Sequence, residues 1–255
     1  MYLKPRVIPV LLIEDDCLVK TVRFNKRIYI GDPINAVRIF NEEEADELCI
    51  LDISSHKNKR INYNLLKDIA TEAFMPLSYG GWVRSMEDVK ELFRAGFEKV
   101  IFNSALLETP DLIRDAVAFA GAQSIVASID FKKNFLGKTE CFAECGKRNT
   151  KRTITEYVKY VEELGAGEIF LNSIDRDGMM NGYDYSVIKE VSAITKVPVI
   201  CCGGAGNLSD MAKAVKESGA HAVAAGSLFV FFGPRKAVLI NYPKEDEQRA
   251  AGLFE

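Results

Sequence analysis

Apolar residues along the 255-residue chain fall into short β-branched bursts, separated by longer stretches in which they recur every three or four positions. A burst of this kind reads as a buried strand, and the wider spacing reads as a helix with one apolar face. The bursts are RVIPVLLI from Arg6, ELCILDIS from Glu47, MPLSYGG from Met75, KVIFNS from Lys99, SIVASID from Ser124, EIFLNSID from Glu168, VPVICCGG from Val197 and AVAAGSLF from Ala222. Eight strands alternating with helices predict an α/β fold, a single (β/α)8 TIM barrel. Ser85 and Asn207 each precede a helical pattern as small polar N-caps.

The pattern repeats at a spacing of about 120 residues, the length of four strand-helix units. Gly80-Gly81 matches Gly203-Gly204, Gly96 matches Gly219, Ser104 matches Ser227, and Ala45-Asp46-Glu47 matches Ala166-Gly167-Glu168. One domain over residues 1–255 is expected, with half-barrels at about 1–120 and 121–240 and a polar tail at about 241–255. The tail reads as a docking segment or as disordered. Two insertions, Glu14 to Asp32 and Phe131 to Arg152, occupy equivalent places after the first and fifth strands. Long segments there are expected to be lids or substrate loops, and Lys20, Lys26, Arg27, Lys132 and Lys133 could cover an anion. A solvated basic surface is the alternative for each lysine.

Composition narrows the chemistry. With 48% hydrophobic residues there is enough for one large core, and a net charge of -3 supplies no general field for nucleic acid or an anionic membrane. The start MYLKPRVIPV lacks a leader-like apolar run, and no stretch of about eighteen apolar residues spans a bilayer. A cytoplasmic protein is expected. Its six cysteines form no C-x-x-C pair and only His56 and His221 accompany them, so neither a metal nor a cofactor is expected.

The two Gly-Gly turns, Gly80-Gly81 and Gly203-Gly204, carry the strongest signal. Each precedes a helix and then a strand ending at Asn103-Ser104 or Gly226-Ser227. Glycine lets backbone N–H groups approach a phosphate, and a helix start favours negative charge, so two phosphate sites are expected. Asp130 closes an apolar strand at the same mouth, where partial burial would raise its pKa toward a value useful for acid/base work. A capping or loop-anchoring aspartate is the alternative. Asp177-Gly178 can offer a carboxylate and a close backbone beside the second phosphate site, while Asp175 and Arg176 are expected to pair with each other or with loops. Asp52 is a further mouth carboxylate. At the opposite end Arg6, Glu47, Lys99 and Glu168 each stand at a strand start. They read either as a stabilising salt-bridge plug or as a gate to a channel.

Together these residues resemble the HisF family, the cyclase subunit of imidazole glycerol phosphate synthase, from Arg6 to about Phe232. The resemblance is carried by ADELCILDIS, the run from Gly80 to Ser85, Asn103-Ser104, Asp130, ELGAGEIFLNSIDRDG with GYD, and PVICCGGAGN. It implies a barrel that receives ammonia from a glutaminase subunit (HisH-like) docked at the N-terminal face and uses it at the C-terminal face. Arg6, Glu47, Lys99 and Glu168 would then be the gate. Asp130 would be catalytic, and Lys20, Asp52, Asn103, Asp177, Gly203, Gly204 and Ser227 would line the substrate site.

Two departures stand out. Leu12 occupies the place of the family's other catalytic aspartate, and loss of such a group forfeits a large part of about 10²- to 10⁴-fold in rate. Trp82 replaces the third glycine of the usual turn, where an indole would crowd a phosphate and could instead stack on a sugar or base. The chain is similar to the HisF-like branch encoded with surface-polysaccharide genes, which implies amidine (acetamidino) formation on a nucleotide-linked sugar together with a sugar amidotransferase. The SLFVFFGPRKAVLINYP ending is similar to that branch too. The alternatives are the histidine-pathway cyclase, forming imidazole glycerol phosphate and AICAR, and a non-catalytic ammonia conduit.

Overall fold

The structure, a computed structural model, describes residues 4–255 apart from the side chains of Ser55 and His56. Residues 1–3, the beginning of the start read above for a leader, and the His56 imidazole considered as a metal ligand lie outside the described residues. Strand β1 (Arg6–Glu14) turns into an antiparallel hairpin of β2 (Cys17–Val22) and β3 (Lys26–Gly31). Then follow β4 (Leu48–Asp52), β5 (Leu77–Gly80) and β6 (Lys99–Phe102). Strand β7 (Ile125–Lys133) leads into a second antiparallel hairpin with β8 (Thr139–Ala143), to which the short β9 (Arg148–Asn149) adds. Strands β10 (Glu168–Ser173), β11 (Val199–Cys202) and β12 (Ala222–Ala225) complete the set.

Eight of these strands pair in parallel in the order β1, β4, β5, β6, β7, β10, β11, β12, and β12 returns to β1. The register from Arg6 opposite Ala222 to Pro9 opposite Ala225 makes that closure, so this is a single closed (β/α)8 barrel. Several strands stop short of their apolar bursts. Gly81, Asn103, Ser104, Gly203 and Gly204 leave the ladder to form corners at the C-terminal mouth. The two insertions, expected as long loops, are instead hairpins that extend β1 and β7 beyond the barrel.

The wrapping helices are α1 (Pro33–Glu42), α2 (Tyr63–Glu72), α3 (Met86–Arg94), α4 (Pro110–Ala120), α5 (Ile154–Glu163), α6 (Tyr185–Ile194) and α7 (Leu208–Ser218). At the start of α3 the Ser85 hydroxyl accepts from the Asp88 backbone N–H at 3.1 Å, and the Asp88 carboxylate accepts from the Ser85 N–H at 2.9 Å. Such a cap stabilises a helix by about 1 kcal/mol. Asn207 caps α7 in the same way, accepting from the Asp210 N–H at 2.9 Å. Buried side chains such as Phe40, Tyr79, Phe97 and Val191 fill the layer between helices and barrel. A separate cluster of Ile8, Val10, Cys49, Ile101, Val126, Phe170, Ile200, Ala222 and Ala224 fills the barrel itself. Alternation along each strand sends one set outward and the other inward.

The tail is ordered, which corrects one of its two expected forms. The Tyr242 hydroxyl donates to the Val7 carbonyl at 3.0 Å and accepts from the Asp46 N–H at 3.2 Å. Helix α8 (Glu245–Ala250) follows, with Gln248 and Leu253 buried. Polar composition was misleading because one tyrosine and one leucine supply the anchoring.

Candidate functional site

The C-terminal mouth of the barrel holds one large cavity, and the two glycine corners meet there. Its walls include Gly80 at the end of β5 with Gly81 after it, Gly203 and Gly204 after β11, Asn103 and Ser104 after β6, and Gly226 and Ser227 after β12. Lys20, Asp52, Asp130, Asp177 and Gly178 line the same space. Every residue expected at the substrate site therefore faces one cavity. Gly204 sits at φ +117°, and a Cβ there would lie 2.2 Å from the Gly182 carbonyl oxygen. No other residue fits this corner without moving backbone.

Asp130, near the C-terminal end of the β7 barrel segment, is buried, and burial pushes its carboxyl up to about 7. A hydrogen bond from Asn172 lowers it, and the charge of Asp177 raises it further. The Asn103 amide also donates to Asp130 Oδ2 at 3.3 Å and to the Ser128 carbonyl at 3.0 Å. No cation among the described residues offsets the desolvation, so this group exchanges a proton near neutral pH.

Lys20 comes from β2 and is only 2% exposed. Burial lowers its ammonium to about 8, against the opposing pull of Asp177, Cys202 and Cys49. Its Nζ donates to the Val10 carbonyl. A Cβ on Gly226 would lie 2.6 Å from that Nζ, so glycine at the end of β12 is what admits the amine. Asp177 accepts from the Thr21 hydroxyl at 2.6 Å and from the Phe24 N–H at 3.1 Å. Burial nonetheless holds its pKa above the usual carboxylate range. These bonds tie the first hairpin to the loop after β10, and Phe24 and Arg27 join the cavity wall. Asp52 accepts from the Ser54 N–H at 3.0 Å and the Ser54 hydroxyl at 2.9 Å. Ser104 accepts from the Glu144 N–H at 3.1 Å, which anchors the second hairpin.

Several expectations are corrected. Lys132 and Lys133 are absent from the cavity wall: Lys132 lies over the Phe142 ring at 4.3 Å, and Lys133 pairs with Asp184 at 2.7 Å. Lys26 is exposed and does not line the cavity. Asp175 and Arg176 take the second of their two expected courses and bind neighbouring backbone: Asp175 accepts from the Lys133 N–H at 2.8 Å, and Arg176 donates to the Gly182 carbonyl at 2.9 Å. Trp82 is not part of the cavity wall, and the Arg84 guanidinium covers its ring at 4.3 Å. Leu12 does line the cavity, as its position on β1 implied.

Asn172, Ser128 and Arg84 were missed. The first two are polar residues on inward positions of otherwise apolar strands, which was the available signal. Arg84 directly precedes the helix cap Ser85 in the first corner.

At the N-terminal end the four charges close into a ring. Arg6 pairs with Glu47 and Glu168, and Lys99 reaches Glu47 at 3.0 Å and Glu168 at 2.8 Å. Burial acts to lower the Arg6 pKa but is outweighed by the two carboxylates, which raise it. The apolar cluster of the barrel interior lies between this ring and the cavity. Beside the ring a shallow groove is lined by Phe93, Phe97 and Phe119. Phe74, Phe119 and Ile194, at the ends of α2, α4 and α6, are exposed on this face. Among the described residues no group of three or more metal-binding side chains occurs, and no helix is long and apolar enough to cross a membrane.

Fold and site define a (β/α)8 barrel whose mouth presents paired glycine corners and a buried acid. The model of the histidine biosynthesis protein family matches residues 6–233, and the chain belongs to that family. It is 48% identical over 250 residues to a Leptospira borgpetersenii protein provisionally named imidazole glycerol phosphate synthase subunit HisF, covering 97% of this chain and 98% of that one. A Pseudomonas aeruginosa protein, provisionally named subunit hisF2 of the same synthase, is 49% identical over 239 residues, covering 93% and 95%. The imidazole glycerol phosphate synthase subunit HisF of Streptomyces coelicolor is 42% identical over 232 residues, covering 91% and 92%. The chain is thus a HisF-like protein of the cyclase type by resemblance.

Proposed function

We propose that this protein is the synthase subunit of a glutamine amidotransferase system, acting in the cytoplasm with ammonia from a glutaminase on a phosphate-bearing substrate. The observation that carries the reading is the convergence of Asp130, Lys20 and both glycine corners on one cavity, at the end opposite the charged ring. Gly80, Gly81, Asn103 and Ser104 would seat one phosphate, and Gly203, Gly204, Gly226 and Ser227 the other. Asp130 would take the proton from the attacking nitrogen. Lys20 would stabilise developing negative charge while protonated.

The exposed apolar residues Phe74, Phe119 and Ile194 favour the N-terminal face for docking the glutaminase. Arg6, Glu47, Lys99 and Glu168 would gate entry there. Ammonia would cross the apolar interior uncharged, because an isolated ammonium pays a far larger desolvation cost.

Amidine formation on a nucleotide-linked sugar, in concert with a sugar amidotransferase, is the preferred reaction. Leu12 is the reason, since it leaves the cavity without the second catalytic carboxylate that cyclisation uses in the family. Histidine-pathway cyclisation is the second reading, favoured by the retained Asp130 and Asp177. Purified protein given ammonium and the histidine intermediate is expected to turn over negligibly, and robust imidazole formation would refute the amidine reading. With the complete system, Asp130→Asn should abolish product; retained product would leave only a passive conduit.

A further inference from the structure

The two corners of the cavity are not chemically alike. Beside Gly226, at the end of the strand that follows the Gly203-Gly204 corner, the cavity wall carries the buried Lys20. At Gly80 and Gly81 the wall instead carries Arg84. Its guanidinium lies over Trp82 at 4.3 Å, and its Nη2 donates to Glu108 at 2.8 Å. Nη1 is buried and has no hydrogen-bond partner among the described residues. A buried, unpaired donor on a charged group is costly, and a ligand that completes it would remove that cost. The helix start beside it offers less than its position suggests, because Asp88 already accepts from the Arg84 N–H at 3.0 Å and the Ser85 N–H at 2.9 Å.

We propose that Arg84 is the anion-reading group of the Gly80-Gly81 corner, its plane fixed by Trp82 and one edge by Glu108, so that Nη1 meets a phosphate oxygen of the substrate. This rests on the two-phosphate reading above and deepens it. Trp82 is a positioning residue: it replaces a glycine of the turn by a platform that holds the guanidinium at the wall. A planar guanidinium edge suits a tetrahedral oxyanion and has nothing to offer a neutral hydroxyl that a point charge would not.

Trp82 is the chain's single tryptophan, so its emission reports on the Arg84 contact without labelling. Inorganic phosphate is titrated into the full chain, followed by calorimetry and by Trp82 fluorescence. Two binding events are expected, one of which changes the emission. Arg84→Met should abolish the emission change and weaken that event about tenfold or more, while leaving the other. Arg84→Lys, which keeps the charge and loses the fork, should fall between, and its circular dichroism checks that the barrel is intact. Two events in the wild type with unchanged emission, or two events of wild-type affinity in Arg84→Met, would overturn the role of Arg84 and leave the two-phosphate reading standing. Absence of any phosphate binding in the wild type would overturn both.

Discussion

Replacing Asp130 by asparagine should make the protein more stable at neutral pH, by an amount that depends on pH in a defined way. Burial moves the carboxyl from an ordinary 3.8 to about 7 in the folded chain. Between those values the folded state holds a proton that the unfolded state has released, so stability falls as pH rises through this window. Above it the ionised, desolvated carboxylate costs about 4 kcal/mol, since each pH unit corresponds to about 1.4 kcal/mol. The asparagine of the variant would carry no charge and could still meet the amides of Asn103 and Asn172. Denaturant unfolding of wild type and Asp130→Asn is compared from about pH 4 to pH 8. The stability gap should be near zero at the acid end, grow in favour of the variant, and level off above pH 7. A gap independent of pH, or one that favours the wild type at pH 8, would show that Asp130 is not held protonated by burial.

Lys99→Ala leaves Glu47 and Glu168 to Arg6 alone, and should cost about 3 kcal/mol in denaturant unfolding. With the glutaminase present, the same variant should uncouple glutamine hydrolysis from product formation, and tight coupling in that variant would refute the gate. Gly204→Ala forces a side chain to φ +117° and into the Gly182 carbonyl. It should cost at least about 1–3 kcal/mol and abolish the phosphate event at that corner, as read by unfolding and calorimetry. Leu12→Asp adds a carboxylate to the cavity wall, and should raise turnover of the histidine intermediate with ammonium above the wild-type level.

The barrel was legible because hydrophobic period alone decides it: each expected burst contains one parallel strand, and Ser85 and Asn207 cap the helices they precede. The corners were legible because glycine at repeated positions is costly in a strand end unless a close approach requires it. Side-chain destinations were not legible in the same way. Lys132 and Lys133 sit next to each other on β7, so alternation sends them to different surroundings, and neither is the cavity. For Trp82 the sequence offers an indole that crowds a phosphate or stacks on a sugar or base, and does not say that the guanidinium of Arg84, two residues on, lies over its ring.

The two ends of the barrel treat buried charge in opposite ways, and that contrast bears on mechanism. In the ring each carboxylate has two cations, so desolvation is offset by pairing. At the mouth, Lys20 is drawn to Asp177 while Asp130 has only amides, so the acid and the amine are each left poised within about a pH unit of neutrality. A second carboxylate at position 12 would add like charge to the same cavity and push Asp130 higher still. In the proposed reaction Leu12 would spare Asp130 that added charge, so that Asp130 would act as the lone base near neutral pH, with Lys20 as a second proton carrier in the wall.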